Sequence, residues 1–403
     1  MDKKKVVIIG HGFTSRLAVI RSVAQIGCEV TVVVMTQNKK DGKTLRTKKP
    51  IDCYSKYVSH VFYCLASDEE ALINLLLENC KDTQQKVVII PDSDFSAATI
   101  DKYQERLKVF FLFPHIQHTP GAIATWMQKP NQKELAGKIG LNVAKGSIID
   151  ITNHQFVIPK EIDYPCFTKP LITKNGGKRL FRKCENETNL REALDYAGNL
   201  HKNIQILVED YKHIDREYAV VGFSDGKEVI IPGIIKMIVM SRGGHFGVAC
   251  QGKITPTEGY NDLISKFKKL VLEIGFVGLF DIDFYESNGI FYFCELNLRF
   301  GGSGYALTKM GVNLPGIMVK TFYGENTNDM LKHVSSEATF VNERMCLDDW
   351  YLRNLTSREF HDMMKTSDIH FIKDEKDKKP EKAFKHEYYR LFAKRFLKRM
   401  LRR

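Results

Sequence analysis

The first ninety residues alternate short, unbroken apolar runs with longer stretches of helical spacing. Val6–Ile9 (VVII) leads into a glycine turn, a helical pattern and then the run Val30–Met35. A third run, Val87–Pro91 (VVIIP), follows a helical pattern around Leu72–Asn79. Strands that alternate with helices predict a parallel sheet covered by helices on its faces. From about residue 125 the pattern changes. The helix-like NQKELAGKIGL precedes YPCFTKPLITKNGGKRLFRKC, which reads as two short strands around a glycine turn, and a helix is expected at about 187–201. Residues 205–256, rich in β-branched residues and glycine, read as antiparallel strands, and a helix is expected at about 260–274. The expected fold is an α/β head with a parallel sheet, followed by an α+β body with antiparallel sheets. Beyond Lys378, Phe384, Tyr388, Leu391, Phe392, Phe396 and Met400 keep helical spacing, with Arg395 and Arg399 intruding on their stripe.

The alternation is most informative in LFDIDFYESNGIFYFCELNLRFGGSG, residues 279–304. Successive strand residues point to opposite faces. Phe280, Ile282 and Phe284 therefore share one face and Asp281 and Asp283 the other. Past the turn, Ile290, Tyr292, Cys294, Leu296 and Leu298 oppose Glu295, Asn297 and Arg299. A two-residue Asn288-Gly289 loop would set these apolar faces on opposite sides of the sheet. A three-residue Ser287-Asn288-Gly289 loop would unite them, with Asp281 opposite Glu295 and Asp283 on the diagonal. That register is the expected one. Carboxylates gathered on one face repel unless a cation lies between them. Oxygens from Asp, Glu and Asn suit magnesium, which keeps waters and leans on substrate phosphates. A merely charged outer face would explain the carboxylates, but not Asn297, Arg299 and the run Gly301–Gly304.

Composition narrows the function classes. A chain of 403 residues, 43% hydrophobic and 27% charged, suggests two to four folded domains. No apolar stretch is long enough to span a bilayer, and the run after the N-terminal lysines is too short for a signal peptide. Nine scattered cysteines without a CxxC pair favour reduced thiols and a cytoplasmic protein. The net charge is +12, but residues 381–403 hold nine Lys/Arg against two Glu and supply +7 of it. The body is close to neutral, which argues against nucleic acid as a partner. There is no GxxxxGK[ST] motif. Gly10 and Gly12 stand where a dinucleotide fingerprint would begin, yet Ser15 takes the place of its third glycine. Met35-Thr36-Gln37 offers no acidic ribose clamp either. An NAD-dependent dehydrogenase is therefore disfavoured.

Two upstream segments complement the acidic hairpin. In FTKPLITKNGGKR, Lys169 ends a strand, and Lys174, Gly176, Gly177 and Lys178 belong to a basic glycine turn whose N–H groups can converge on phosphate. In QILVEDYKHIDREYAVVGF, Glu209, Tyr211 and Glu217 follow a buried-strand run; alone this reads as a polar loop between strands.

Taken in order, Lys133, Lys169-Pro170, the glycine loop, Glu209, Glu217, Asp283 and Glu295-x-Asn297-x-Arg299 resemble the ATP-grasp superfamily over roughly residues 1–320. The last motif is similar to the branch of biotin carboxylases, carbamoyl-phosphate synthases and carboxylate–amine ligases. The resemblance implies a pre-ATP-grasp, Rossmann-like α/β domain at 1–120, an ATP-grasp domain at 121–325 with a small lid at about 140–208, and a C-terminal extension at 326–403. It implies ATP and Mg2+ (with Mn2+ as an alternative), Lys133 and Lys169 on the α- and β-phosphates, and the loop from Lys174 to Arg179 closing over the triphosphate. Glu209 and Tyr211 would hold adenine, largely through backbone groups, and Glu217 the ribose. Asp283, Glu295 and Asn297 would bind metal, with Asp281 competing for Asp283's role. Arg299 would stabilise an acyl-phosphate, helped by Lys236 or Arg242. The segment DYKHIDRE is one residue longer than in some relatives, which bears on the ribose contact. The implied reaction joins a small-molecule carboxylate to an amine. CLDDWYLRN and HFIKDEKDKKPEKAF resemble bacterial ATP-grasp ligases of cell-envelope precursors, including D-aspartate ligase-like enzymes. The basic tail 381–403 would then touch an anionic membrane or a lipid-linked precursor from the cytoplasmic side. Carboxylation through carboxyphosphate and a non-catalytic nucleotide-binding scaffold are the alternatives. The oligomeric state is left open.

Overall fold

The computed structural model describes residues 3–11, 13–36, 49–66, 68–171, 177–242 and 248–400. It contains two compact units: Met1–Thr125, Glu217–Asp283 and Leu296–Arg403 form the first, and Trp126–Arg216 with Phe284–Glu295 the second.

In the first unit five parallel strands lie in the order Val58–Leu65, Glu29–Thr36, Lys5–Gly10, Val87–Pro91, Phe111–Leu112. Val6, Ile8, Val30, Val32, Val88 and Ile90 enter one core cluster, while Val7, Ile9, Val33, Val87 and Ile89 enter another. Both faces of the sheet are thus buried, which is why the runs are unbroken. A Cβ on Gly10 would lie 1.4 Å from Asp92 Oδ1, so glycine is needed here for the close approach of a carboxylate.

Two buried arginines on the helix Phe13–Ala24 hold the unit together. Arg16 donates to Asp52 from Nε (2.5 Å) and Nη2 (3.1 Å) and to the Gly10 carbonyl from Nη1 (2.5 Å). Burial alone would lower its pKa, but Asp52 outweighs that and holds it raised. Arg21 reaches the C-terminal region. It donates to the Phe371 and Ile372 carbonyls, both at 2.9 Å, and to Asp377 Oδ2 at 3.1 Å.

The larger sheet of this unit runs Ile369–His370, Ala338–Val341, Ala249–Thr255, Ile234–Met240, Arg216–Asp225, Phe276–Ser287. The last of these strands continues as a hairpin into the second unit. Here the structure corrects the expected turn. The strands are Phe276–Ser287 and Ile290–Asn297, and Asn288 (φ 52°) and Gly289 (φ 75°) are both left-handed. A two-residue turn with two positive φ values matches strand twist, and Asn-Gly suits both positions. Tyr285 stacks on Tyr292 with ring centroids 5.4 Å apart, as that turn requires.

Carried on regularly, this register would drive Glu295 and Asn297 into the core. Instead the strand changes phase. Phe293 is buried, but the next buried residues are Leu296, Leu298 and Phe300, a three-residue step where a regular strand takes two. Ile290 is exposed and Tyr292 and Cys294 are half-buried, so the expected apolar face holds only from Leu296 onward.

The tail also departs from expectation. Residues Lys378–Met400 form one helix. Its Phe384 is buried, Phe392 stacks on Trp350 (6.1 Å, 2°) and Tyr388 stacks on Phe360 (5.7 Å, 6°). Arg395, which interrupts the stripe, lies 4.5 Å over the Trp350 ring and donates to the Trp350 carbonyl at 2.6 Å. Phe384 is thus buried, while Tyr388 and Phe392 lie against other rings of the chain, with Phe392 still 49% exposed. Among the described residues no helix is long and apolar enough to cross a membrane.

The second unit contains four antiparallel strands in the order Arg182–Cys184, Cys166–Pro170, Asn203–Asp210, Gly146–Thr152. Leu190, Leu194 and Ala197 of the helix Glu187–Leu200 pack on them. A separate helix, Lys129–Ile139, starts with Pro in its first turn and ends at left-handed Gly140, the usual helix punctuation.

Removing Arg21 leaves Asp377 as a buried, unpaired charge. Arg21→Ala is expected to lower unfolding free energy by about 3–5 kcal/mol, measured by urea denaturation, with hydrogen-exchange protection falling first around residues 371–377.

Candidate active site

After the phase change, Glu295, Asn297 and Arg299 alternate with the buried Leu296, Leu298 and Phe300 and so share the opposite face. In the first unit, Asn297 Nδ2 lies 3.3 Å from Asp283 Oδ2. The expected register would have set Asn297 opposite Leu279, two pairs away from Asp283. Arg299 Nε donates to Asp94 Oδ1 at 2.5 Å, and its Nη2 lies 3.4 Å from Asn297 Oδ1. Burial by itself would lower the Arg299 pKa, but Asp94 and then Asp281 keep it raised. Asp94 opens the helix Asp94–Lys102, whose Ser93 cap forms a reciprocal capping box with Ser96.

Asp281 belongs to the same group. Its Oδ1 is buried without a hydrogen-bond partner, and burial, then repulsion from Asp283, pushes its pKa well above the ordinary carboxyl range against the pull of Arg299. A Cβ on Gly301 would come 2.6 Å from the Asp281 carboxyl, so the first glycine after the motif is needed for backbone and carboxyl to meet. An unsatisfied buried carboxyl oxygen beside a second carboxylate and an amide is a donor set that fits a hard divalent cation. Among the described residues no three His, Cys, Asp or Glu side chains could hold a metal by themselves. The arrangement suits magnesium that completes its shell with water and phosphate.

In the second unit a set of lysines meets two carboxylates. Lys133 and Lys169 both pair with Glu209, Lys169 at 2.5 Å, and Lys129 pairs with Glu295. Glu209 sits on the strand Asn203–Asp210 opposite Gly146, where a Cβ would be 2.8 Å from the Glu209 Cγ. Burial and then the neighbouring Lys169 push Lys133 down to about 7. Burial likewise lowers Lys169. Three ammonium groups drawn together this way can neutralise a polyphosphate.

The remaining expected residues are placed individually. The Tyr211 N–H donates to the Pro165 carbonyl at 2.9 Å, and the Lys183 ammonium sits 4.4 Å over its ring. Glu217 is half-buried on the strand Arg216–Asp225. Lys236, on Ile234–Met240, lies 5.7 Å from the centre of the Tyr260 ring. The Arg242 N–H is fixed by Asp349 Oδ2 at 2.7 Å. Lys174 and Gly176 lie outside the described residues. Gly177 and Lys178 begin a short 3-10 helix, Gly177–Leu180. Sequence reasoning passed over Lys129 and Asp94; a basic residue opening the helix that carries Lys133 was the available signal for Lys129.

No protein-family model matches the chain. The large chain of carbamoyl phosphate synthase from Clostridium botulinum (strain Loch Maree / Type A3) is 24% identical over 344 residues, 81% of this chain and 30% of that one. The chain thus spans about a third of the length of that relative. Among solved structures, N5-carboxyaminoimidazole synthetase from Staphylococcus aureus complexed with ADP has a TM-score of 0.63 at 17% identity, covering 88% of this chain and 86% of that one. L-amino acid ligase from Bacillus licheniformis has a TM-score of 0.60 at 17% identity, covering 84% and 79%. The chain has the ATP-grasp fold. The Glu-x-Asn-x-Arg segment and the lysines at Glu209 and Glu295 lie within that fold.

Because Asp281 titrates higher when folded than its unfolded value near 4, the folded state holds a proton that the unfolded chain releases. Magnesium-free protein should therefore lose stability as pH rises above about 4 toward the raised value. Asp281→Asn is expected to match wild type in urea midpoint below that pH and to exceed it increasingly above. Magnesium chloride should narrow the gap by stabilising wild type.

Proposed function

We propose that this protein is an ATP- and magnesium-dependent ligase that joins a carboxylate to an amine through an acyl-phosphate, releasing ADP and phosphate. The observation that carries the reading is the gathering of Asp281, Asp283, Asn297 and Arg299 around an unsatisfied buried carboxyl oxygen. A direct amine attack on a carboxylate fails because oxide is a poor leaving group. In the first step a substrate carboxylate oxygen bonds to the γ-phosphorus and the bond to ADP breaks. In the second the amine bonds to the acyl carbon, inorganic phosphate leaves, and the amine gives up a proton.

In this reading Asp283, Glu295 and Asn297 hold magnesium, which supplies charge neutralisation on the phosphoryl group when bound. Lys129, Lys133 and Lys169 neutralise the other phosphates. Glu209 serves as the lysines' counter-charge and Tyr211 flanks the base, with Glu217 on the ribose. Arg299, oriented by Asp94 and Asn297, meets the charge that builds on the acyl-phosphate, with Lys236 or Arg242 assisting.

Carboxylation through carboxyphosphate is the second reading, favoured by the likeness to carbamoyl phosphate synthase and N5-carboxyaminoimidazole synthetase. Bicarbonate would then replace the organic carboxylate at the same residues. A cell-envelope acceptor, with residues 381–403 at an anionic membrane, rests chiefly on the tail's charge, since Phe384 is buried and Tyr388 and Phe392 stack on Phe360 and Trp350.

Glu295→Gln and Arg299→Ala are each expected to cut ADP release by about 100-fold or more across a panel of amino acids, amines and bicarbonate, with circular dichroism unchanged. Wild-type turnover in either variant would remove that residue from the reaction.

A further inference from the structure

The first unit holds a cleft of about 810 Å³ that runs from Asp94 and Arg299 to the C-terminal region, where Arg344, Asp348, Glu387 and Arg390 line it. Arg344 and Asp348 sit on the helix Glu343–Tyr351, and Glu387 and Arg390 on Lys378–Met400. Arg344 spans the two helices, with Nε 3.0 Å from Asp348 Oδ2 and Nη1 3.0 Å from Glu387 Oε1. Its guanidinium is fixed in orientation by two carboxylates. Burial would lower its pKa, but Asp348 and Glu387 keep it raised. Arg390 differs. It reaches Glu387 only at 3.9 Å, and its side chain is 47% exposed. At that distance and exposure the pair contributes little to stability. Arg390 can therefore turn to a ligand without breaking the fold.

We propose that this cleft takes the amine substrate and that the substrate is a zwitterion. Its amino group lies toward Asp94 and Arg299, and a separate carboxylate or phosphate is held by Arg390 beside the fixed Arg344. The chemistry follows from the lining. Both cations and carboxylates line the cleft, so a ligand bearing one charge of each sign finds a counter-charge for each. A planar guanidinium next to a second, splinted one is suited to a two-oxygen anion. The proposal rests on the ligase reading for the word "substrate", but its test is a binding measurement on the full chain.

Saturation-transfer NMR would compare matched amines in the presence of magnesium and a non-hydrolysable ATP analogue: β-alanine against propylamine, and O-phosphoethanolamine against ethanolamine. Wild type is expected to show transfer to at least one member that carries the carboxylate or phosphate and not to its partner that lacks that group. Which anionic probe displaces the other tells carboxylate from phosphate. Arg390→Glu is expected to weaken the anionic probe by about tenfold or more while binding a fluorescent ATP analogue as wild type does. Arg344→Lys, which retains the positive charge, should keep the fold and lose affinity for the same probe. Equal transfer to the members with and without the anionic group, no transfer to any probe, or unchanged affinity in Arg390→Glu would each overturn the proposal. Loss of ATP-analogue binding by wild type would instead overturn the ligase reading, with probe binding still deciding this one.

Discussion

The chain's chemistry depends on one change of phase in a strand. The Asn288-Gly289 turn fixes a register in which the tyrosines Tyr285 and Tyr292 stack, but the core demands Leu296, Leu298 and Phe300. Both demands are met only if the strand takes one extra residue between Phe293 and Leu296. Burying three large apolar side chains is worth several kcal/mol in total, far more than the local irregularity costs. The consequence falls on the other face. Glu295, Asn297 and Arg299 are turned away from the core together, and Asn297 arrives beside Asp283. The polar group assigned to a cation in the proposed reading is thus assembled by hydrophobic burial on its reverse side.

Around this strand, charges are buried in pairs and shared sets. Arg16 with Asp52 and Arg21 with Asp377 pin the head sheet and the C-terminal region, while Glu209 gathers Lys133 and Lys169. The two arginine pairs are satisfied by carbonyls as well as carboxylates, which makes each expensive to break from one side. Asp281 is the contrast. It is enclosed, repelled by its neighbour and short of a partner on Oδ1. A buried carboxyl oxygen without a hydrogen-bond partner, beside a second carboxylate and an amide, is a place where a ligand cation would be stabilised.

The C-terminal region is part of the same construction. The helix Lys378–Met400 stacks Phe392 on Trp350 and Tyr388 on Phe360, and that packing carries Glu387 and Arg390 to the cleft wall. Glu343 accepts from the N–H groups of Phe371, Ile372 and Lys373, fixing the segment that leads into this helix. A tail read by composition as a basic surface becomes, when packed, a supplier of positioned charges.

By itself the sequence determined whatever depends on local period and order. Unbroken apolar runs marked strands buried on both faces, and Glu295-x-Asn297-x-Arg299 named its own face by alternation. The order of Lys133, Lys169, Glu209 and the acidic hairpin identified the fold. Local pattern could not choose the turn, because Ser287-Asn288-Gly289 admits both a two- and a three-residue loop, and it gave no sign that the strand changes phase between Phe293 and Leu296. Nor could it find Asp94 for Arg299, 205 residues away, or Asp377 for Arg21, 356 residues away. Those partners are chosen when burial brings distant segments together, and a buried charge then accepts whichever opposite charge the tertiary fold delivers to it.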